Sequence, residues 1–150
     1  NFQSQITGSA FSYDCKPCNQ KCALDKLYHN TDGDNWTNKG NWMSSTISLC
    51  SWYGITCNEN GDITKIDLHD NNLKGTIPAE LGALGTLTEL RLYNNKLSGE
   101  IPSELSYLTS LTYFNLGDNE LTGSIPSELC NHNSVNEVNV PIQDGTDPAS

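Results

Sequence analysis

The stretch ITKIDLHDNNLKGTIPAELGALGT, Ile63 to Thr86, is followed by LTELRLYNNKLSGEIPSELSYLTS, Leu87 to Ser110, and by LTYFNLGDNELTGSIPSELCNHNS, Leu111 to Ser134. Successive units start at Ile63, Leu87, Leu111 and Val135, evenly spaced along the chain. All three fit L-x-x-L-x-L-x-x-N-x-L-x-G-x-I-P-x-x-L-x-x-L-x-x, and the third loses its last Leu to His132-Asn133. The fourth, VNEVNVPIQDGTDPAS, keeps only the opening pattern. Three such units in register do not arise by chance, so the chain is a solenoid whose coils bury their apolar faces only by stacking.

Each column has a physical reading. Ile66 with Leu68, Leu90 with Leu92, and Phe114 with Leu116 alternate inward on short parallel strands. Asn71, Asn95 and Asn119 fall where the chain turns off the strand, placed to satisfy backbone groups of neighbouring coils. Gly75, Gly99 and Gly123 permit a tight backbone, and Pro78, Pro102 and Pro126 stiffen the extended segment that follows. Leu81 with Leu84, and Leu105 with Leu108, close the coil on the convex side.

Upstream, Cys22-Ala23-Leu24-Asp25-Lys26-Leu27-Tyr28 has helical apolar spacing, Trp36 and Trp42 follow, and Cys50-Ser51-Trp52-Tyr53-Gly54-Ile55-Thr56-Cys57 is a Cys-flanked W-x-G-x-x-C segment. With the Gly-x-Ile-Pro element, this makes residues 22 to 140 resemble the plant-type leucine-rich repeats. These occur in receptor-kinase ectodomains, polygalacturonase-inhibiting proteins and secreted algal and protist proteins; the cap looks especially like the protist versions. The resemblance implies a right-handed α/β solenoid with a concave parallel sheet of about four strands and a disulfide-bonded cap with a short helix. It implies that Cys50 pairs with Cys57, and a role in recognition or inhibition without catalysis. The chain departs from the family in having only three full repeats, with no cysteine pair after the last. The expected organisation is an N-terminal extension over 1–21, a cap over 22–62, repeats over 63–140 (63–86, 87–110, 111–134 and a partial 135–140) and a tail over 141–150.

Composition narrows the function. The 150 residues carry 8 Lys and Arg against 18 Asp and Glu, a net charge of −10, which disfavours nucleic acid and anionic membranes as partners. No apolar stretch approaches the roughly 20 residues of a membrane span. A start at Asn1 reads as a processed chain or a fragment. Six cysteines and a single Asn-x-Ser/Thr sequon, Asn35-Trp36-Thr37, point to an extracellular, glycosylated protein.

Other constellations are weak. Cys15, Cys18 and Cys22 lack a fourth ligand at metal-site spacing, and disulfides are the better reading. Cys130 lies roughly 15 Å beyond the first coil, out of reach of Cys22. Cys15 reaches it if 15–22 run extended, and otherwise Cys130 pairs with another chain or stays free. Asn30, Asp32, Asp34 and Asn35 around Gly33 hint at calcium but lack the later ligands of an EF-hand, so they read as a capping turn. His29, His69 and His132 are scattered without a partnered nucleophile, and no cofactor or catalytic motif is present.

What remains are surfaces. The non-consensus concave positions are Lys65, Asp67, His69, Glu89, Arg91, Tyr93, Tyr113 and Asn115, with Tyr93 and Tyr113 beside Arg91 and His69 as the candidate contact patch. Its area, roughly 300 Å², suits a glycan or short peptide better than the ~800 Å² footprint of a folded partner. At the far end, Leu116, Leu121, Ile125 and Leu129 are expected to be poorly covered, while the extension carries Phe2, Ile6, Phe11 and Tyr13. Head-to-tail self-association through those residues with Val138, Val140 and Ile142 is therefore the first functional expectation. Recognition of an extracellular protein, peptide or glycan on the concave face is the alternative.

Overall fold

A computed structural model describes residues 17–130 and 137–139. The element order is helix α1 (Gln20–Asn30), strands β1 (Ile55–Cys57), β2 (Ile63–Asp67), β3 (Lys74–Thr76), β4 (Glu89–Arg91), β5 (Lys96–Glu100), β6 (Tyr113–Asn115) and β7 (Glu120–Thr122), helix α2 (Ser127–Cys130) and β8 (Glu137–Asn139). Short 3-10 turns at Ala79–Ala83 and Ser103–Tyr107 follow Pro78 and Pro102 on the convex side.

The concave sheet has the order β1-β2-β4-β6-β8. Lys65 pairs with Glu89, Glu89 with Tyr113 and Tyr113 with Glu137, so the sequence period is the strand register itself. Two features go beyond the expected four strands. β1 of the cap joins the sheet antiparallel, with Ile55 opposite Ile66, and caps its edge. A second parallel sheet, β3-β5-β7, runs where Gly75, Gly99 and Gly123 suggest only a tight backbone. Its register is two residues shorter per coil, Lys74 facing Lys96 and Ser98 facing Glu120.

Between the sheets every apolar consensus residue, Leu or Ile, from Ile63 to Leu111 is buried. Three of the four residues expected to be uncovered at the far end are buried too: Leu116, Leu121 and Leu129 are 0%, 1% and 3% exposed, and Ile125 is partly buried. β8 pairs with β6 beyond them, with Phe114 opposite Val138, so the third coil is not an open end of the concave sheet. The premise for an apolar, partner-seeking end face is thereby corrected. Phe2, Ile6, Phe11, Tyr13, Cys15, Val140 and Ile142 lie outside the described residues, and Val138 is placed only as backbone of β8.

The asparagine ladder supplies the polar half of the interior. Asn95 Oδ1 accepts from the backbone N–H of Asn71 and Leu73, each at 3.0 Å, and its amide donates to the carbonyls of Leu68, Leu92 and Tyr93. Asn119 repeats the pattern one coil on, accepting from Leu97 N–H and donating to Leu92, Leu116 and Gly117. Asn71 reaches back into the cap, accepting from Asn38 N–H and donating to Asn38 O. The segment at Asn38 thus stands in for the turn of a preceding coil.

The cap is stacked on this first coil. Asn19 caps α1 by accepting from Cys22 N–H, so the helix starts two residues ahead of the expected boundary at Cys22. Its buried face is Ala23, Leu24, Leu27 and Tyr28. A ring series follows, with Tyr28 and Trp36 5.2 Å apart, Trp36 and Trp42 4.7 Å, and Trp42 and Trp52 5.1 Å. Cys18 is bonded to Cys22 and Cys50 to Cys57, with Cα separations of 5.4 and 5.5 Å. Gly75, at φ 129, lets the end of α1 touch the coil, since a Cβ there would lie 2.0 Å from Asn30 O.

Burial pushes the Tyr28 phenol above its ordinary value, helped by its hydrogen bond to Asp34 and that carboxylate's negative charge. A raised pKa means stability that is present below the unfolded value of about 10 and lost as pH rises through the folded value. Tyr28→Phe should cost about 1 kcal/mol at pH 7 yet delay unfolding in base, as seen by circular dichroism across an alkaline titration. Asn95→Ala should be far costlier, about 2–5 kcal/mol in denaturant melts, because it strands two interior N–H groups and several carbonyls at once.

Candidate functional site

The strand register places the eight non-consensus positions on one face. Lys65, Glu89 and Tyr113 form one row across β2, β4 and β6, and Asp67, Arg91 and Asn115 form the next. His69 and Tyr93 follow at the ends of their strands, where Asp70 and Asn94 take left-handed backbone angles, φ 49 and 54, and turn the chain away. All eight are brought together in the sense that each touches another member of the set.

Arg91 is the centre. Its guanidinium lies 4.5 Å above the Tyr113 ring, with Nη2 2.9 Å from Glu89 Oε2 and Nη1 3.8 Å from Asp67 Oδ2. Lys65 Nζ lies 3.4 Å from Glu89 and 3.5 Å from Asp67. Two cations and two carboxylates therefore neutralise one another locally on a chain of net charge −10. His69 hydrogen-bonds Asp67 through Nδ1 and stacks on Tyr93, ring centroids 4.7 Å apart and planes within 11°. That spacing is the ~4.8 Å between strands, so the two rings sit as consecutive rungs of one column.

Asn115 has a different place. It is 9% exposed, donates to the Tyr113 hydroxyl at 3.3 Å and accepts from Gly117 N–H at 2.9 Å. It holds Tyr113 and the following turn, and offers little surface of its own. Tyr93, Tyr113 and Arg91 are half-buried, and His69 keeps 38% of its side chain exposed. Among the described residues no group of three or more His, Cys, Asp or Glu could hold a metal ion. The acidic turn after α1 is likewise internally satisfied: Asp34 accepts from Tyr28, and Asp32 accepts from Asn35.

Sequence reasoning misses two surfaces. Tyr53, 38% exposed, precedes β1 in the cap, where its backbone N–H donates to Gly40 O at 2.9 Å. Reading Cys50 to Cys57 as a structural unit hides it. On the flank, Asp70, Asn72, Asn94, Asn95 and Lys96 line an open hollow, with Lys96 Nζ donating to Asn72 Oδ1 at 2.9 Å. Its signal is the pair of repeat columns Asp70, Asn94, Asp118 and Asn72, Lys96, Glu120.

Comparison with known proteins agrees with this geometry. The Leucine Rich Repeat family profile matches three times, over 62–84, 86–108 and 110–132. The chain is 37% identical over 43 residues to Leucine-rich repeat protein 1 of Arabidopsis thaliana, covering 29% of this chain and 20% of that protein. The solved PEPR1–AtPEP1 structure superimposes with a TM-score of 0.67 at 26% identity, covering 81% of this chain and 17% of the other. The Arabidopsis receptor kinase HAESA, solved in complex with the peptide hormone IDA and the co-receptor SERK1, gives 0.65 at 26% identity, covering 73% and 18%. The repeats form a leucine-rich-repeat solenoid, similar to those of plant leucine-rich-repeat proteins and receptor-kinase ectodomains. The chain spans about a fifth of the length of these relatives.

If Arg91 and Tyr113 form a working pair, a double-mutant cycle of Arg91→Ala and Tyr113→Ala should give a coupling of about 0.5–1 kcal/mol in thermal melts. Strict additivity would show that the ring contact contributes nothing.

Proposed function

We propose that this protein is an extracellular, non-enzymatic recognition module that holds a short extended peptide against its concave face. The observation that carries this reading is the ordered patch around Arg91, in which Lys65, Asp67, Glu89, His69, Tyr93 and Tyr113 fix one another before any ligand arrives. Side chains already locked in place lose little entropy on binding, which is where small interfaces gain affinity. Tyr and Arg are the residue types that concentrate binding energy.

Size and charge describe the occupant. A face of roughly 300 Å² accommodates a few residues of extended chain, not a globular partner. The −10 charge of the whole chain favours approach by a neutral or basic peptide. HAESA, which shares this fold, was solved with the peptide hormone IDA, and PEPR1 was solved with AtPEP1. The extracellular setting is supported by the Cys18–Cys22 and Cys50–Cys57 disulfides and by the likeness to ectodomains such as that of BIR2 from Arabidopsis thaliana. Self-association loses its main support with the burial of Leu116, Leu121 and Leu129. A glycan ligand remains an outcome of the test.

Panning the folded protein against a random peptide display library, with a glycan array beside it, tests the proposal. Binders are expected from the peptide library, each weakened at least tenfold by Tyr93→Ala or Arg91→Ala, about 1.4 kcal/mol or more. Enrichment that ignores both substitutions, or binding confined to glycans, would overturn it.

A further inference from the structure

We infer that Asn60 and Gly61, at the tip of the hairpin joining β1 to β2, form a self-modifying site at which Asn60 converts to isoaspartate without an enzyme. This step goes beyond the recognition reading and does not rest on it. Asn60-Gly61 is the single Asn-Gly pair in the sequence. Gly61 N–H donates to Asn58 O at 3.0 Å and Asn58 N–H to Asp62 O at 2.9 Å. Gly61 takes a left-handed φ of 81, so the loop is a tight turn closed by a glycine bulge. The Asn58 side chain supports this turn by accepting from the N–H groups of Asn60 and Asp62. Asn60 has no such duty: its amide is exposed and takes no hydrogen bond among the described residues.

The chemistry balances with water alone. The Gly61 nitrogen, its proton passed to a solvent base, attacks the carbonyl carbon of the Asn60 side chain. A C–N bond forms and closes a cyclic imide, and the side-chain nitrogen leaves as ammonia. Water then opens the imide. Attack at the former backbone carbonyl sends the main chain through the side-chain carbon and gives isoaspartate; attack at the other carbonyl gives aspartate. Nothing is oxidised or reduced. A Cβ at Gly61 would meet nothing within 4 Å, so the space beside the attacking nitrogen is open. Gly61 N–H must first leave Asn58 O, and an exposed turn is where such local opening costs least. Asp32-Gly33 is the contrast within the chain. The Asp32 carboxylate accepts from the Asn35 amide at 3.0 and 3.1 Å, and a Cβ at Gly33 would overlap the Tyr28 ring. That pair has neither a free side chain nor room to close.

The place of the turn gives the modification a consequence. The register of β1 on β2 shifts between Thr56 and Cys57, next to the hairpin tip. Gln20, the first residue of α1, fills in there: its Nε2 donates to Gly61 O at 3.1 Å and its Oε1 accepts from Ile63 N–H. One side chain thus binds two backbone groups whose spacing is that of an ordinary peptide chain. Isoaspartate inserts an extra carbon into the main chain just before Gly61 and leaves a carboxylate beside it. Gly61 O then no longer falls opposite Gln20 Nε2, and the tie between helix and hairpin is lost. The Cys18–Cys22 and Cys50–Cys57 bonds still hold the two sides, so the cap loosens at this seam without unfolding. The result is a one-way mark of the chain's age, written where α1 meets the edge of the concave sheet.

The test incubates the intact, oxidised chain under mildly alkaline conditions and maps asparagine conversion by peptide mass spectrometry, with an isoaspartyl methyltransferase as the specific label. Asn30 and Asn94 serve as references, because both are exposed but are followed by Thr31 and Asn95, whose side chains crowd the attacking nitrogen. Asn60 should convert at least about tenfold faster than either, since its turn both opens easily and leaves the ring room to close. Asn60→Gln should keep the turn and stay unmodified, because the longer side chain closes a larger ring more slowly. Amide hydrogen exchange over 20–24 and 61–63 should be about threefold faster in the aged chain than in fresh protein or in aged Asn60→Gln. Freshly made Asn60→Asp, which carries the charge without the added carbon, should exchange like the unmodified chain. Conversion of Asn60 no faster than that of Asn30 and Asn94 would overturn the inference. Unchanged exchange in the isoaspartate form, or equal loosening by Asn60→Asp, would overturn the consequence drawn for the cap.

Discussion

A solenoid coil must turn back on itself within a single repeat, and each turn leaves backbone N–H and carbonyl groups facing an interior without water. The asparagine column resolves that conflict. Asn95 and Asn119 each offer one acceptor oxygen and two amide hydrogens at the place where a strand ends and backbone groups of two coils converge. No apolar side chain could occupy this position without stranding groups that each cost about 1–3 kcal/mol when buried unpaired. The leucines give the coil its stacking energy; the asparagines make the turn between them possible. The cap follows the same constraint. Asn71 has no preceding repeat, and Asn38 supplies its backbone N–H and carbonyl instead.

How far the sequence discloses the structure depends on whether side chains or backbone carry each element. The concave register is legible because Ile66, Leu90 and Phe114 recur once per repeat on an alternating pattern, and the strands pair at that same offset. The β3-β5-β7 sheet is not legible. Lys74-Gly75-Thr76 has no apolar alternation, and its pairing is set by the path the chain is forced to take after the asparagine turn. β1 is hidden for a related reason: the short segment Ile55–Cys57 becomes a strand only because β2 presents an open edge beside it. The end of repeat three misleads in the other direction. Counting apolar residues beyond Val140 suggests a bare face, yet Leu116, Leu121 and Leu129 are buried, β8 pairs on β6, and α2 lies against the convex turn of repeat two.

The candidate site shows the same division. Its membership follows from the repeat, since non-consensus positions of a known strand must face outward. Its internal chemistry does not. That Arg91 would lie over Tyr113, and His69 on Tyr93, depends on neighbours about a full coil apart in sequence and one strand apart in space. Asn115 illustrates the limit. Sequence position makes it a surface residue, while the structure turns its amide onto Tyr113 and Gly117 and buries it.

The location of the patch is itself a consequence of the cap. In a one-dimensional stack, each coil is held only by its neighbours, so stability is lowest at a free end. Coils one and two lie between the Trp36–Trp42–Trp52 cap, with its Cys50–Cys57 bond, and the whole of repeat three, whereas beyond repeat three the described residues add only β8. Lys65, Asp67 and His69 belong to the first of these coils, and Glu89, Arg91 and Tyr93 to the second. Of the patch's aromatic rings, only Tyr113 reaches into the third. A surface that must keep side chains at fixed mutual angles is best carried where the backbone has least freedom to open. The cap makes the first coil behave as an interior one, and so extends to Lys65, Asp67 and His69 the support that a neighbouring coil gives to Glu89, Arg91 and Tyr93.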